Sequence, residues 1–410
     1  PNPSPLFPSP EGNKLTTEAL VGVFLMVILG VQIPALLILL SRLLKGPGRR
    51  PPLTPLATHP EQLGKVSVVV PTLNEVERIS PCLSGLTRQG YEVREFIVVD
   101  SNSQDGTREK VLAIAQTDPR FRLRSDGALP PGWVGRPWAL HNGFLLSSPD
   151  SEWILGIDAD TQPQYGLVAS LLAVAVGEGY DLLSLSPQFI LQSPGEWWLQ
   201  PALLMTLLYR FDSAGVRDSL PAGVMANGQC FLCRRSLLEA IGGYQVAASS
   251  FCDDVTLARY AASLGYRVGF LDGAQLIKVR MYAGFQDTWS GWGRSLDLKD
   301  ASSYAQLWAD LGLLVCTQGL PLILSPLLLW GLYTGFSFLT LKIALGVNLL
   351  LLLIRISLLW AISPSYYRGE SLGTTSWWFW LSPLADPLAV LRIFLSATQR
   401  PTSWRGRNYG

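Results

Sequence analysis

A long apolar segment near the N-terminus limits what this chain can fold into. Between Glu18 and Arg42 it contains no Asp, Glu, Lys or Arg, and about 20 such residues suffice for a helix to cross a bilayer. Of the 410 residues, only 15% are charged, against about 25% in soluble domains, and most of these lie between about residues 65 and 300. We therefore predict a globular domain attached to membrane-spanning helices.

Three further apolar segments lie toward the C-terminus. Residues 311–332 and 341–362 are each long enough to span a membrane. Residues 377–397 are interrupted by two prolines and two charged residues, namely Pro383, Pro387, Asp386 and Arg392. A charge at the centre of a lipid-exposed helix is costly, and proline removes a backbone donor. We expect this last segment to be re-entrant or interfacial rather than fully transmembrane.

These segments predict the organisation of the chain. In order, we expect an N-terminal tail (1–17), a transmembrane helix (18–44), a linker (45–64), a globular domain (65–284), an interfacial amphipathic segment (285–305), transmembrane helices (311–332 and 341–362), the interrupted segment (377–397) and a basic C-terminal tail (398–410). Four basic residues follow the first span, namely Arg42, Lys45, Arg49 and Arg50. By the positive-inside rule they predict a cytoplasmic globular domain.

The histidines and cysteines argue against two kinds of site. His59 and His141 are the only histidines, so a histidine-based metal or triad site is not expected. Cys230 and Cys233 form a C-x-x-C pair, but no second pair completes a zinc site. Residues three apart in a strand point to opposite faces of a sheet. We therefore interpret both cysteines as packing residues.

The globular domain alternates strand-like and helix-like segments. Residues 66–70 and 96–99 are β-branched and apolar, as expected of buried strands, and residues 75–88 and 107–117 have helical patterns. A further strand precedes Asp158. Such alternation predicts an α/β domain with a mostly parallel sheet covered on both faces. Ligands in such domains bind at the carboxyl ends of the strands.

Polar side chains follow each of these strands. They are Thr72, Asn74 and Glu75 in "PTLNE", Asp100 after the second strand, and Asp158 and Asp160 in "DAD". Each alone has a structural explanation, since Asp and Asn favour turns and helix caps. At one sheet edge they would suit a nucleoside diphosphate with a divalent ion. Such an ion prefers hard oxygen ligands, and the diphosphate would supply the others.

Three segments carry a family resemblance: "VSVVVPTLNEVERI", "FIVVDSNSQDGT" and "WILGIDADTQP". They resemble the nucleotide-binding signatures of family 2 inverting glycosyltransferases, which have the Rossmann-like GT-A fold. The resemblance covers about residues 65–300. It implies that Asp100 and Glu75 hold uracil and ribose, with Thr72 and Asn74 in the same nucleotide-sugar site. It also implies that Asp158 contacts the ribose or donor sugar, and that Asp160 together with Asp158 binds Mg²⁺ or Mn²⁺.

Arg136 occupies the place of a family lysine in "GWVGRPWALHNG". By the resemblance, it would keep a positive charge near the donor with a different hydrogen-bond geometry. A solvated loop cation is an equally acceptable interpretation.

Asp253 and Asp254 precede a predicted amphipathic helix. Capping and dipole complementarity explain such acids in many proteins. The pair also resembles the family's E-D motif, in which the second acid is the catalytic base. Two adjacent carboxylates near a diphosphate would raise the pKa of one of them, which suits general-base catalysis near neutral pH. We predict Asp254 as the base and Asp253 as its support.

The segment "RMYAGFQDTWSGWGRSL" departs from a family motif. Many members carry Q-x-x-R-W, whereas here Gln286 is followed by no Arg-Trp pair. Trp292 and Arg294 form a G-W-x-R arrangement instead, which we assign to the donor site. An interfacial helix with aromatic and basic anchors explains these residues equally well. The absence of Q-x-x-R-W argues against a processive polymer channel.

The set GWVGRPWA, RMY, GWGR and WRGR resembles bacterial and cyanobacterial carotenoid 2'-O-glycosyltransferases. The resemblance implies an integral protein of a bacterial plasma or thylakoid membrane. It would transfer a sugar from a nucleoside-diphosphate sugar, first a UDP-sugar, to a lipophilic acceptor hydroxyl, first a carotenoid. Glycolipid (ceramide- or hopanoid-like) and polyprenyl-phosphate acceptors are alternatives, as is a catalytically silent membrane scaffold. With a net charge of +1, we expect no nucleic-acid partner.

Overall fold

A computed structural model describes residues 10–216, 223–296, 298–367, 376–399, 403–404 and 407–408. The strands are β1 (Val66–Thr72), β2 (Val93–Asp100), β3 (Phe121–Ser125), β4 (Trp153–Ile157), β5 (Thr161–Pro163), β6 (Leu182–Ser186), β7 (Gln188–Ile190), β8 (Cys230–Arg234), β9 (Val268–Asp272), β10 (Ile277–Val279), β11 (Tyr366–Tyr367), β12 (Ser403–Trp404) and β13 (Arg407–Asn408).

The helices are α1 (Pro10–Leu43), α2 (Ile79–Thr87), α3 (Thr107–Ala115), α4 (Gly135–Leu146), α5 (Leu167–Glu178), α6 (Pro194–Arg210), α7 (Arg235–Ile241), α8 (Asp253–Ser263), α9 (Gly284–Ser295), α10 (Tyr304–Leu314), α11 (Leu320–Tyr333), α12 (Leu339–Ile362), α13 (Ser376–Trp380) and α14 (Asp386–Thr398). A π-helical turn, Val315–Gly319, joins α10 to α11.

A seven-stranded sheet in the order β3-β2-β1-β4-β8-β6-β9 forms the centre of the globular domain. Only β8 runs antiparallel to its neighbours in this sheet, so the predicted mostly parallel α/β architecture is confirmed. Each face packs in a different apolar cluster, with Val68 and Cys230 on one face and Val69 and Cys233 on the other. The predicted packing role of both cysteines, on opposite faces of one strand, is also confirmed.

The carboxyl ends of β1, β2 and β4 meet at one edge of the sheet. Thr72 pairs in register with Asp100, and β4 runs parallel to β1 and ends directly before Asp158. The helix predicted over residues 75–88 is shorter, since α2 extends from Ile79 to Thr87. Asn74 has a positive φ of 54°, and the chain turns between Asn74 and Ile79. This turn brings the segment after β1 over the sheet edge.

Three helices flanking the domain are long and apolar enough to span a membrane: Glu18–Gly48, Tyr304–Tyr333 and Leu339–Ser365. Buried polar contacts join them, as Gln32 donates to the Cys316 carbonyl (3.1 Å) and to Asn348 (3.0 Å). Interhelical hydrogen bonds of this kind stabilise packed membrane helices. The second helix begins earlier than the predicted residue 311, because α10, the π-helical turn and α11 are continuous.

The interrupted segment folds as two helices, α13 and α14, with a 3₁₀ turn between them. Its charged residue Asp386 is buried and pairs with Arg355 of α12 at 2.8 Å, and it also accepts a hydrogen bond from Gln318. The insertion cost expected of a lipid-exposed Asp does not arise, because the carboxylate is enclosed by protein and paired.

Described residues before this segment and at its C-terminal end contact the chain between β7 and α10. Tyr366 of β11 pairs with Phe189 of β7, and Lys299 donates to the carbonyls of Ser396 (2.7 Å) and Gln399. A chain that begins and ends on the same side is expected of a re-entrant or interfacial segment. Its placement relative to a bilayer stays a prediction, as do the other predicted boundaries.

Candidate active site

A cavity of about 880 Å³ lies at the sheet edge described above. Its walls come from two parts of the chain. The strand ends and α8 supply acidic groups, among them Glu75, Asp158, Asp160, Asp253 and Asp254. Helices α6, α9, α12 and α14 supply a largely apolar wall that includes Leu204, Leu208, Ile362 and Trp292. One cavity therefore joins a polar, acidic end to an apolar wall that includes the C-terminal end of α12, one of the helices apolar enough to span a membrane.

Arg136 connects the two acidic pairs at the polar end. Its Nε donates to Asp158 Oδ1 at 2.9 Å, one terminal nitrogen pairs with Asp253, and the other donates to the Gly228 carbonyl at 2.6 Å. The side chain is 12% exposed and lies on α4. A solvated loop cation would be exposed and without fixed partners, so that interpretation does not fit these contacts. The role of Arg136 in donor binding stays a prediction.

Gly228 is required where it stands beside Arg136. A Cβ atom at this position would overlap the guanidinium group. The Gly228 N–H donates to Asp254 at 2.5 Å while its carbonyl accepts from Arg136. The loop before β8 therefore holds both the arginine and the predicted base. Sequence analysis missed this residue, and its only sequence signal is a glycine directly before a strand, in "NGQC".

Asp253 and Asp254 form the start of α8, and the cap residue is Cys252. Neither acid therefore acts as the helix cap, although both benefit from the helix dipole. Asp254 accepts hydrogen bonds from the backbone N–H groups of Gly228 and Val255 (2.9 Å). Asp253 is committed to the ion pair with Arg136. The geometry thus separates the two carboxylates, one paired with a cation and the other held by neutral donors.

Burial raises the pKa of both carboxylates. For Asp253 the pKa rises to about 7, because desolvation and the charge of Asp254 outweigh the opposing effect of Arg136. For Asp254 desolvation also raises the pKa, opposed by Arg136 and by the two backbone donors. For Arg136, burial alone would lower the pKa, but Asp158, Asp253 and Asp254 together raise it. The arginine stays charged, and the acid pair binds its protons more tightly than isolated carboxylates.

These shifts predict the acid limb of the pH profile. A base with a raised pKa is protonated, and so inactive, below that pKa. We expect kcat/KM of transfer to fall with decreasing pH while the pH is still above the usual range of an aspartate, because burial raises the pKa of Asp254. Arg136→Gln should move this limb to higher pH because it removes the charge that lowers both pKa values, whereas Arg136→Lys should leave it nearly in place. If the pH at which kcat/KM falls is the same in Arg136→Gln as in the wild type, the assignment of this acid pair as the titrating groups is wrong.

Asp158 and Asp160 lie in a tight turn between β4 and β5. The Thr161 N–H (3.2 Å) and hydroxyl (2.8 Å) both donate to the Asp158 carbonyl, and both carboxylates line the cavity. Two hard oxygen donors fit Mg²⁺ or Mn²⁺. Within the described ranges, no group of three His, Cys, Asp or Glu side chains could hold a metal. The donor set therefore fits an ion whose other ligands come from a bound diphosphate.

The remaining predicted nucleotide-binding residues differ in their placement. Thr72 and Glu75 line the cavity. Asn74 accepts from the Gln104 N–H at 3.0 Å, so its side chain holds the loop after β2 and is not in the described cavity wall. Asp100 is fully buried behind that wall and pairs with Arg108 at 2.8 Å. Direct nucleotide contact by Asn74 and Asp100 stays a prediction.

The predicted donor-site residues on α9 are only partly described. Trp292 lines the cavity and is 4% exposed, whereas the side chain of Arg294 lies outside the described residues. The structure adds three cavity-lining arginines that sequence analysis did not assign to the site, Arg49 after α1, Arg78 before α2 and Arg392 on α14. Arg392 was treated only as an interruption of an apolar segment, and a lone cation within an apolar, tryptophan-rich segment could have marked it.

The comparisons with known proteins identify the globular domain. The family profile described as "Glycosyl transferase family 2" matches residues 67–242, the part of the chain that contains β1, β4, Arg136 and the Asp158–Asp160 turn. Residues 67–242 therefore form a family 2 glycosyltransferase domain. The predicted family, GT-A fold and enzyme class are thereby confirmed, and a catalytically silent scaffold is not supported.

This glycosyltransferase is similar to proteins with different named substrates. It is 24% identical over 286 residues to the 4,4'-diaponeurosporenoate glycosyltransferase of Staphylococcus haemolyticus, covering 69% of this chain and 71% of the relative. It is 24% identical over 238 residues to an N-acetylglucosaminyl-diphospho-decaprenol L-rhamnosyltransferase of Mycobacterium tuberculosis, covering 52% and 74%.

A solved structure extends the fold similarity beyond the catalytic domain. The mannosyltransferase PcManGT of Pyrobaculum calidifontis, in complex with GDP-Man and Mn²⁺, superposes with a TM-score of 0.52 at 18% identity, covering 90% of this chain and 98% of that one. At this identity the similarity shows a shared fold.

Proposed function

We propose that this protein transfers a sugar, with inversion, from a nucleoside-diphosphate sugar to a hydroxyl of a lipophilic acceptor that enters from the membrane. One observation carries the proposal: a single cavity is lined both by the acidic strand-end residues and by apolar residues of α6 and of the C-terminal end of α12, one of the three helices apolar enough to span a membrane. A polar donor and an apolar acceptor could therefore meet in it. We further propose a cytoplasmic catalytic domain, supported by the basic residues after the first span.

The described residues divide the chemistry among them. Asp254 takes the proton of the acceptor hydroxyl as its oxygen attacks the anomeric carbon and the bond to the diphosphate breaks. Two backbone N–H donors hold this carboxylate in one orientation. Arg136 neutralises Asp253 and Asp158, so that the acids do not repel the incoming diphosphate as strongly. Thr72 and Glu75 line the part of the cavity that we assign to the nucleoside.

Asp158 and Asp160 would hold Mg²⁺ or Mn²⁺. When bound, such an ion offsets negative charge on the departing diphosphate. The Mn²⁺ complex of the structurally similar mannosyltransferase supports this assignment. UDP is our first choice of nucleotide from the sequence motifs, although that mannosyltransferase binds GDP-Man.

A carotenoid is the acceptor we favour. The relative from Staphylococcus haemolyticus is named for a carotenoid-like substrate, 4,4'-diaponeurosporenoate, and its similarity covers more of this chain than that of the rhamnosyltransferase. A polyprenyl-linked or glycolipid acceptor is the second candidate, favoured by the decaprenol-linked substrate in the name of the rhamnosyltransferase.

Labelled donors separate these acceptors. Membranes containing the protein are supplied with carotenoid and polyprenyl phosphate and are incubated with labelled UDP-glucose, UDP-galactose or GDP-mannose. Pigments and polar lipids are then extracted separately. We expect label in the pigment fraction, and none with membranes containing Asp254→Asn. Label found only in the lipid fraction would show that the acceptor is the second candidate, a polyprenyl-linked compound or a glycolipid, and not a carotenoid. Failure to label either fraction with any donor would refute the proposal of a lipophilic acceptor.

A further inference from the structure

Arg392 is a cavity-lining cation that forms no ion pair with a carboxylate of the described residues. It lies on α14, half-buried, with its guanidinium carbon 5.3 Å from the centre of the Trp289 ring. Its Nε is buried and finds no acceptor among the described residues, and none of their carboxylates pairs with it. A buried hydrogen-bond donor without an acceptor destabilises the folded protein, and a charged donor does so more strongly. The buried Nε of Arg392 is therefore unfavourable for folding unless a bound ligand accepts its hydrogen bond.

Trp292 supplies a second buried hydrogen-bond donor close to Arg392. Its indole Nε1 is buried with no acceptor in the described part of the chain, and its side chain lines the same cavity. The guanidinium of Arg392 packs against Gly293, the residue after Trp292. The Ser396 hydroxyl donates to the Gly293 carbonyl at 2.7 Å and fixes α14 to α9 at this level. Two unsatisfied donors from neighbouring helices therefore converge on one wall.

The other cavity cations are differently placed. Arg136 is fully engaged by Asp158, Asp253 and Gly228. Arg78 donates to the Met281 carbonyl at 3.5 Å, and Arg49 is exposed. An arginine that anchors α14 at the membrane surface would point away from the protein interior, whereas Arg392 lines the cavity and its Nε is buried. An anionic ligand is the better explanation.

The position of Arg392 is fixed before any ligand arrives. Asp386, at the start of the same helix, is held by Arg355 of α12 and by Gln318 of the π-helical turn. This buried contact sets the depth of α14 against the membrane helices. A preorganised cation loses little freedom on binding, which favours affinity.

We propose that Arg392 and Trp292 form a subsite for an anionic oxygen group of a ligand in this cavity. Resting on the proposed function, the group is either a phosphate of the donor's diphosphate or a phosphate or carboxylate at the polar end of the acceptor. Arg392 donates a charge-assisted hydrogen bond to it, and the indole N–H donates a neutral one.

Nucleotide binding tests the donor source without any transfer reaction. Affinities of the purified full-length protein are measured for UDP against uridine, and for GDP against guanosine, with Mg²⁺ present. We expect Arg392→Gln to weaken diphosphate binding by roughly tenfold, the effect of about 1.4 kcal/mol, and to leave nucleoside binding unchanged. Arg392→Lys should restore part of the loss. Trp292→Phe, which keeps the ring and removes the N–H, should produce a smaller loss of the same kind.

Arg267→Gln is the matched control. Arg267 lies over the Tyr180 ring at 5.1 Å, as Arg392 lies over Trp289, but it does not line the cavity, so its loss should change neither affinity.

If diphosphate binding is unchanged in Arg392→Gln while KM for the acceptor rises by a similar factor, the acceptor supplies the anionic group. Equal losses for nucleoside and diphosphate, or no change in either affinity or acceptor KM, would overturn the subsite. A diphosphate-specific loss in a protein that glycosylates no lipid would keep the subsite and refute the proposed acceptor.

Discussion

Asp254→Asn is expected to lower kcat by about 10²–10⁴, the usual contribution of a general base, with little change in UDP affinity. The amide cannot accept the proton of the attacking hydroxyl. It also cannot satisfy both present donors, because Gly228 and Val255 each donate to a different carboxylate oxygen and Asn offers only one acceptor. One backbone N–H therefore loses its partner, at a cost of about 1–3 kcal/mol, so the stability of the variant is measured alongside its activity.

Asp253→Asn is the paired variant for this experiment. Asp253 faces Arg136, so its neutralisation releases the arginine and should change the pH profile and donor KM more than the maximal rate. Single-turnover rates and UDP titrations on both variants separate the two roles. If UDP affinity falls as much as kcat in Asp254→Asn, Asp254 is a binding residue and the assignment of the base is wrong.

The alternating pattern was sufficient to predict the sheet and the meeting of its strand ends. Continuous β-branched runs identify strands buried on both faces, and parallel strands place their carboxyl ends together. Thr72 and Asp158 could therefore be assigned to one edge before the structure was known. The opposite-face placement of Cys230 and Cys233 follows from the same two-residue period.

Long-range partners could not be predicted in this way. Whether Arg136 faces solvent or an acid depends on a loop before β8, about 90 residues further along the chain, and on Asp253. No local pattern encodes those contacts. Asp100 is a second example. Its position at a strand end could be predicted, but its ion pair with Arg108 and the loop that covers it could not. Local sequence indicates which element a residue belongs to, and the tertiary fold decides what it contacts.

Residues 377–397 show what composition alone cannot resolve. Asp386 and Arg392 were both counted as interruptions that make residues 377–397 a poor span. In the structure Asp386 is enclosed with Arg355, while Arg392 faces the cavity. Hydropathy assumes a lipid environment for every residue of a segment, and it cannot register that one charge is paired inside the protein and another lines a binding site.

Asp160→Asn is expected to abolish measurable transfer while the protein stays folded. Asn has the same shape as Asp, and the side chain stands in a turn at the cavity wall, so packing should change little. What is lost is a charged oxygen donor for a divalent ion, which an amide oxygen replaces poorly. We expect the variant to need far higher Mg²⁺ or Mn²⁺ for UDP binding, measured by titrating each metal at fixed UDP.

Asp158→Asn serves as the comparison, because it also weakens the contact with Arg136 Nε. That variant should shift both the metal requirement and the pH profile, whereas Asp160→Asn should shift the metal requirement alone. The wild-type enzyme should lose activity in EDTA and recover it when Mg²⁺ or Mn²⁺ is added back. Near-normal transfer by Asp160→Asn, or by the wild type with EDTA present, would show that the two carboxylates bind the donor without a metal. The charge of the departing diphosphate would then have to be met by arginines alone.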